Sequence, residues 1–234
     1  MILTITPTYN EKQNIKQLVE KITSVGNVDL LVIDDNSPDG TAFIVEELRR
    51  QYPGLHLIKR EKKMGLGTAY IEGFRWALER NYQLIITIDA DLSHNPDYIP
   101  VFLEGLKEFD FVVGSRYVPE GGTENWPLKR RIISRFGNCY ARTIAGIPIN
   151  DCTSGFTGFK RQVLEQINFD NIHSEGYGFL IELKYRAVKK NFNFREIPII
   201  FVERRKGKSK ISRKIIFEAM ILAWRLRFSG RAGK

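Results

Sequence analysis

A chain of 234 residues with 43% hydrophobic and 27% charged residues has the composition of a globular protein, which excludes disordered, collagen-like and fibrous classes. The net charge of +9 is divided unevenly: residues 1–114 carry 12 Lys+Arg against 17 Asp+Glu, and residues 115–234 carry 24 against 10. A basic half of this size implies an anionic partner such as phosphate, nucleic acid or a membrane surface. The longest nearly unbroken apolar stretch, Ile215 to Trp224, is interrupted by Glu218 and falls well short of the about 20 residues of a bilayer span. The start, MILTITPTYN, lacks the basic region and cleavage site of a signal peptide. Two cysteines without CxxC spacing suggest neither a disulfide framework nor zinc, so a reducing, cytoplasmic setting is expected.

In chain order, short apolar runs alternate with amphipathic segments. Strands are predicted at ILTI, Leu30 to Ile33, Leu55 to Ile58, Leu84 to Ile88 and Phe111 to Gly114, each apolar at successive positions as in strands buried on both faces. Helices are predicted near Glu11 to Thr23, with Asn10 and Gln13 as a capping box, and near Thr41 to Gln51, Gly67 to Arg80 and Pro96 to Lys107. The βαβα rhythm predicts an α/β, doubly wound, mostly parallel Rossmann-like sheet with helices on both faces. Beyond Gly114 come a glycine-rich loop and a basic helix from Leu128 to Ala145 whose apolar residues Leu128, Ile132, Phe136 and Tyr140 recur every four positions. A strand near Phe156 to Phe159, a helix near Gly178 to Lys190, a strand from Arg195 to Val202, the basic loop ERRKGKSK and a last helix from Ile211 to about Phe228 complete the chain.

Ligands of such sheets bind beyond the carboxyl ends of the strands, so residues just after each run carry the functional signal. Pro7, Tyr9 and Glu11 follow the first strand, Asp34 and Asp35 the second, and Asp89-Ala90-Asp91 the fourth. Two carboxylates at i and i+2 in extended backbone point the same way. Acids gathered on one rim repel unless a cation joins them, and oxygen ligands favour Mg2+ or Mn2+ with substrate phosphates completing the shell. A metal-bound nucleoside diphosphate fits. There is no GxxxxGK[ST] loop, and Gly65-Leu66-Gly67 is followed by Tyr70 where a dinucleotide motif needs a third glycine. That segment reads as a helix-start loop. Of His56, His94 and His173, all read as surface or packing residues, only His94 adjoins the acidic motif.

The series TPTYNE, VIDDNSPDGT, IDADLSHNP, GSRY, DCTSGF and FVERRKGKSK, from about Thr6 to Ile211, resembles the inverting glycosyltransferases of family two with the GT-A fold, most closely dolichol-phosphate or polyprenol-phosphate mannose synthases. The resemblance implies that Pro7, Tyr9, Glu11, Ile33 and Asp35 hold the donor nucleoside, that Asp89, Ala90 and Asp91 surround its diphosphate, and that Asp91 with Asp89 takes the metal. Some relatives have a glutamine ligand where this chain has Ser93. It further implies that Arg116, Arg204 and Lys210 lie near donor or acceptor phosphates, that Arg131 or its neighbour Arg130 meets the acceptor phosphate, and that Asp151 with Thr153 to Phe156 forms the acceptor side. The donor implied is GDP-mannose or UDP-glucose, and the acceptor a polyprenyl or dolichyl phosphate. Such an acceptor is already anionic near neutral pH, so transfer to it needs no histidine base. Residues 1–210 are expected to form the catalytic domain, 1–114 the nucleotide-sugar half and 115–210 the acceptor half, with 211–234 an amphipathic helix. That helix and Leu128 to Ala145 either pack on the core or lie at an anionic interface, which places the protein peripherally at the cytoplasmic face of a membrane. Some relatives carry C-terminal spans and others use a small membrane-anchoring subunit; this chain resembles the latter or a trimmed form of the former. The acidic rim and the lack of nucleic-acid motifs argue against a nucleic-acid partner.

Overall fold

The computed structural model describes residues 1–172, 174–203 and 213–229, with residues 213–219 and 229 described in their backbone only. Strands β1 (Ile2–Thr8), β2 (Asp29–Asp34) and β3 (Leu55–Lys59) alternate with helices α1 (Ile15–Ser24), α2 (Thr41–Arg49) and α3 (Leu66–Glu79). Then follow β4 (Leu84–Thr87), α4 (Ile99–Glu108), β5 (Phe111–Ser115), β6 (Gly122–Glu124), α5 (Leu128–Ala145), β7 (Thr157–Lys160) and α6 (Arg161–Gln166). The chain ends in α7 (Tyr177–Lys189), β8 (Phe194–Pro198), β9 (Ile200–Val202) and α8 (Arg213–Ser229). Among the described residues the sequence-predicted strands and helices are present; the predicted start of the last helix at Ile211 and the basic loop from residue 204 lie outside them. Two differences have local causes. Asn10 adopts a left-handed φ of 61°, and α1 starts only after Asn14, which makes no side-chain cap, so the Asn10–Gln13 capping box does not form. The segment predicted as one strand from Arg195 to Val202 is split between β8 and β9, which belong to different sheets.

Seven strands form one sheet in the order β3-β2-β1-β4-β7-β5-β8, and β6 pairs with β9 in a small second sheet. The large sheet is parallel except for β7, which runs antiparallel between β4 and β5. Alternate side chains feed two cores. Leu3, Ile5, Leu31, Ile33 and Ile85 meet α3, α5, α6, α7 and α8 on one face, while Leu30, Val32, Ile86 and Val112 meet α1, α2 and α4 on the other. Helix α1 shows the pattern that makes this work, with Ile15, Leu18, Val19 and Ile22 buried on one stripe. The order reverses between β1 and β4, and that switch opens a crevice at the carboxyl ends of the central strands. Among the described residues no helix is long and apolar enough to cross a membrane.

Candidate active site

The parallel register of β1 and β2 sets Pro7 opposite Ile33 and Thr8 opposite Asp34, so the first two rim segments are neighbours. Asp34 is spent on local structure: it accepts from Thr8 Oγ1 at 2.8 Å and from the Ser37 backbone N–H and hydroxyl at 2.8 and 2.6 Å. Asp35, buried beside it, accepts from Arg60 Nη1 at 2.6 Å and from the backbone N–H groups of Met64 and Gly65 at 3.2 and 3.0 Å. Arg60 is itself buried, donates to Thr68 Oγ1 at 2.7 Å, and brings Nε within 3.2 Å of Glu72. Sequence reasoning missed it, although a basic residue directly after β3 lies on the same rim. Glu11 accepts from Asn14 Nδ2 at 2.9 Å, and Lys63 lies 4.1 Å over the Tyr9 ring.

Asp89, Ala90 and Asp91 leave the end of β4 on the other side of the crevice. Asp91 is buried, and its Oδ1 accepts from the Ser93 N–H at 3.0 Å. Asp89 is packed against Gly155, where an added Cβ would stand 2.8 Å from Asp89 Oδ1. Ser93 is buried in the same turn, and its hydroxyl has no hydrogen-bond partner among the described residues. His94 is a packing residue. It is buried against the rings of Phe156 and Phe201, with Nδ1 3.4 Å from Asp89 Oδ2. Desolvation pulls its pKa down to about 4, so that contact is not an ion pair at neutral pH. The donor set is two carboxylates and a hydroxyl; among the described residues no three His, Cys, Asp or Glu gather to hold a metal by themselves. Two carboxylates with phosphate oxygens and water suit Mg2+ or Mn2+, so the residues fit a hard cation shared with a diphosphate.

The side expected to take the acceptor is built around a buried ion pair. Arg116, after β5, donates through Nε and Nη2 to Asp151 at 2.7 Å each, its backbone N–H donates to the same carboxylate at 3.1 Å, and Nη2 also reaches Thr153 Oγ1 at 2.9 Å. Burial pushes the Asp151 carboxyl up, but the Arg116 charge and hydrogen bonds outweigh it and leave its pKa lowered; Arg116 is raised in turn. Asp151 is fully buried and also accepts from Thr153 Oγ1, so it orients Arg116 and is not placed as a base. Glu196 on β8 accepts from the backbone N–H groups of Asn150 and Asp151 at 2.9 and 3.0 Å and holds this turn from behind. Buried Lys184 donates to the Ser154 carbonyl at 2.7 Å, and burial lowers its pKa to about 8. Neither Glu196 nor Lys184 carries a sequence signal, because both lie inside helix and strand patterns far along the chain.

Arg116 and Thr153 line a cavity of about 580 Å³ whose walls include Trp126, Ile133, Phe136 and Met220. Arg130 lines it too, stacked 4.1 Å over Trp126 and paired with Glu203 at 2.5 Å. Arg131 is exposed on α5, does not line the cavity and forms no salt bridge among the described residues. Arg204 and Lys210 lie outside the described residues, as does His173.

Residues 4–168 match the model of glycosyl transferase family 2. The chain belongs to that family. This family 2 enzyme is 41% identical to an undecaprenyl-phosphate mannosyltransferase of Micrococcus luteus, over 94% of this chain and 91% of that one. It is also 41% identical to a polyprenol monophosphomannose synthase of Mycolicibacterium smegmatis, over 96% and 87%. In fold it is similar to a mannosyltransferase of Pyrobaculum calidifontis in complex with GDP-mannose and Mn2+, with a TM-score of 0.57, 15% identity and coverage of 99% and 74%. The glucosyl-3-phosphoglycerate synthase of Mycobacterium tuberculosis, in complex with Mn2+, UDP and glucosyl-3-phosphoglycerate, gives a TM-score of 0.66 at 18% identity, covering 97% and 79%. The family model ends at residue 168, ahead of α7, while the likeness in fold to these solved structures runs over 97–99% of the chain.

Proposed function

We propose that this enzyme transfers mannose from GDP-mannose, with inversion, to a polyprenyl or dolichyl phosphate at a membrane surface. The observation that carries the reading is the cavity where a buried arginine meets apolar walls: a lipid phosphate presents those two chemistries together. The two mannosyltransferase relatives, named for polyprenyl acceptors, support the same substrate class.

On the donor side, Pro7, Tyr9, Glu11 and Ile33 wall the nucleoside site and Asp35 accepts from the base, its carboxylate held by Arg60. Asp89, Asp91 and the Ser93 hydroxyl would hold Mg2+ or Mn2+, with Ala90 between them and Arg204 and Lys210 assigned to the donor phosphates by motif. A divalent ion there neutralises the departing diphosphate. Asp151 spends its charge on Arg116, whose Nη1 makes no hydrogen bond among the described residues and is left for the acceptor phosphate. Arg130 lines the cavity wall paired with Glu203, and Arg131 adds positive charge beside it on the exposed side of α5. The acceptor arrives as a phosphate, so attack on the sugar C1 requires alignment and charge neutralisation rather than proton removal.

Helix α5 gives the membrane reading its physical basis. Leu128, Ile132 and Phe136 are 69%, 60% and 67% exposed, so this ridge does not pack on the core; Asn138, Ala141 and Ala145 do. Trp224 and Phe228 on α8 are exposed as well. Apolar ridges flanked by Lys129, Arg131 and Arg135 suit an anionic interface, directly or beside a small anchoring subunit.

The test supplies GDP-mannose or UDP-glucose, Mg2+ or Mn2+, and a short polyprenyl phosphate to the parent and to Asp91→Ala. Mannosyl transfer by the parent and its loss in the variant are expected. Transfer only from UDP-glucose, or an Asp91→Ala variant as fast as the parent, refutes the assignment.

A further inference from the structure

Helix α5 turns its apolar ridge outward and buries Asn138, Ala141 and Ala145 instead. Ala141 and Ala145 pack on the core without a polar group, so packing does not call for an amide on this face. A buried amide is tolerated only where its hydrogen bonds are met. Those of Asn138 are: its Nδ2 donates to the Ser134 carbonyl and to Thr153 Oγ1, both at 3.0 Å, and its Oδ1 accepts from the Thr153 N–H at 3.2 Å. The carbonyl can only accept and the N–H can only donate, so the amide has a single orientation. One side chain of α5 thus grips both the backbone and the hydroxyl of a residue 15 positions further along the chain.

Thr153 passes that grip on. Its Oγ1 accepts from Asn138 Nδ2 and from Arg116 Nη2, the latter at 2.9 Å, which directs its own proton to Asp151 Oδ1 at 3.2 Å. The hydroxyl is therefore the joint between α5 and the buried ion pair. Arg116 spends Nε on Asp151 and Nη2 on Asp151 and Thr153 together, while Nη1 makes no hydrogen bond among the described residues. Arg116, Asn138 and Thr153 all line the same cavity. A planar fork held along one side can turn only with the groups that hold it, so the direction of Nη1 depends on where Thr153 stands.

We propose that Asn138 is a positioning residue of the transfer reaction: acting through Thr153, it fixes the Arg116 guanidinium so that Nη1 is presented to the acceptor phosphate. The inference rests on the reading of Arg116 as the group that meets that phosphate. It gives the inward face of α5 a task in the reaction, separate from the outward ridge.

The experiment measures initial rates with GDP-mannose, Mn2+ and a short polyprenyl phosphate for the parent, Asn138→Ala, Thr153→Val, the double variant and Arg116→Lys, below the onset of unfolding of each. Partial unfolding lowers kcat alone, whereas a displaced arginine raises the KM for the acceptor. Asn138→Ala is expected to raise the acceptor KM by about tenfold and to leave the GDP-mannose KM at the parent value. Thr153→Val should do the same, and the double variant should be no worse than Thr153→Val, because both changes remove one joint. Arg116→Lys, which keeps the charge and loses the fork, should raise the acceptor KM as well. An acceptor KM for Asn138→Ala within about twofold of the parent, while Arg116→Lys is impaired, overturns this inference alone. Effects that multiply in the double variant also overturn it, since Asn138 would then act independently of the Thr153 hydroxyl. An unchanged acceptor KM in Arg116→Lys, or a parent that transfers no sugar to the lipid phosphate, overturns the site reading and this inference with it.

Discussion

Replacing Gly155 by alanine tests the geometry of the acidic motif with one methyl group. The added Cβ would stand 2.8 Å from Asp89 Oδ1 and 3.1 Å from Oδ2. Ordinary carbon–oxygen contact begins near 3.4 Å, so something must move by about 0.5 Å. The backbone cannot easily do so: the Gly155 carbonyl accepts from Thr87 Oγ1 at 2.7 Å, and the preceding carbonyl of Ser154 is held by Lys184 at 2.7 Å. The carboxylate yields instead, which costs little stability but displaces the oxygen proposed to hold the metal from a site that tolerates about 0.5 Å. The expected result is a loss in kcat/KM of about 10- to 100-fold and a raised Mn2+ requirement. The melting temperature should stay within about 2 °C of the parent. Initial rates against Mn2+ concentration, paired with thermal unfolding, check this. Parental rates and metal dependence would show that Asp89 does not face the reacting diphosphate, and a large drop in melting temperature would show that the backbone gives way.

Asp151→Ala should destabilise the fold by about 3–5 kcal/mol in urea unfolding, because it strands the buried Arg116 charge. Combining Asp151→Leu with Arg116→Met should recover much of that stability and no transfer activity. Lys184 sets a pH signature. Its folded pKa of about 8 lies below the ordinary 10.5 because of burial, so between these values the unfolded chain binds the extra proton and stability rises with pH. Compared with Lys184→Met, the parent should gain up to about 3 kcal/mol between pH 7.5 and 10.5; an unchanged difference in unfolding free energy would contradict the buried charge. Ile132→Ser with Phe136→Ser should leave the melting temperature unchanged, since both residues are exposed, while weakening sedimentation with anionic vesicles. Parental binding should fall as salt rises from about 0.05 to 0.5 M, and salt-independent binding would rule out electrostatic attachment.

Much of the strand-end rim was legible before any tertiary structure. Apolar runs of four or five residues must be buried strands, and acids directly after them must share one rim, because parallel strands all end on the same edge of a sheet. Residues 128–145 form a helix to the residue, as four-residue periodicity requires. Where local signals misled, a tertiary contact prevailed. Ile199 lies between two strands that pair in different sheets, and Asn10 turned left-handed where a helix cap was expected.

The sequence by itself determined the alternation of strands and helices, the family, and the acids at the strand ends, since these depend on residues close together in the chain. Only the tertiary structure decided how distant residues are spent. It pairs Arg116 with Asp151 across 35 residues, so that the carboxylate orients the arginine. It brings Arg60 to Asp35, and it turns β7 antiparallel between β4 and β5. It also turns the apolar ridge of α5 outward. Periodicity reports that a helix has an apolar side; which neighbour covers that side, if any, is settled by packing alone.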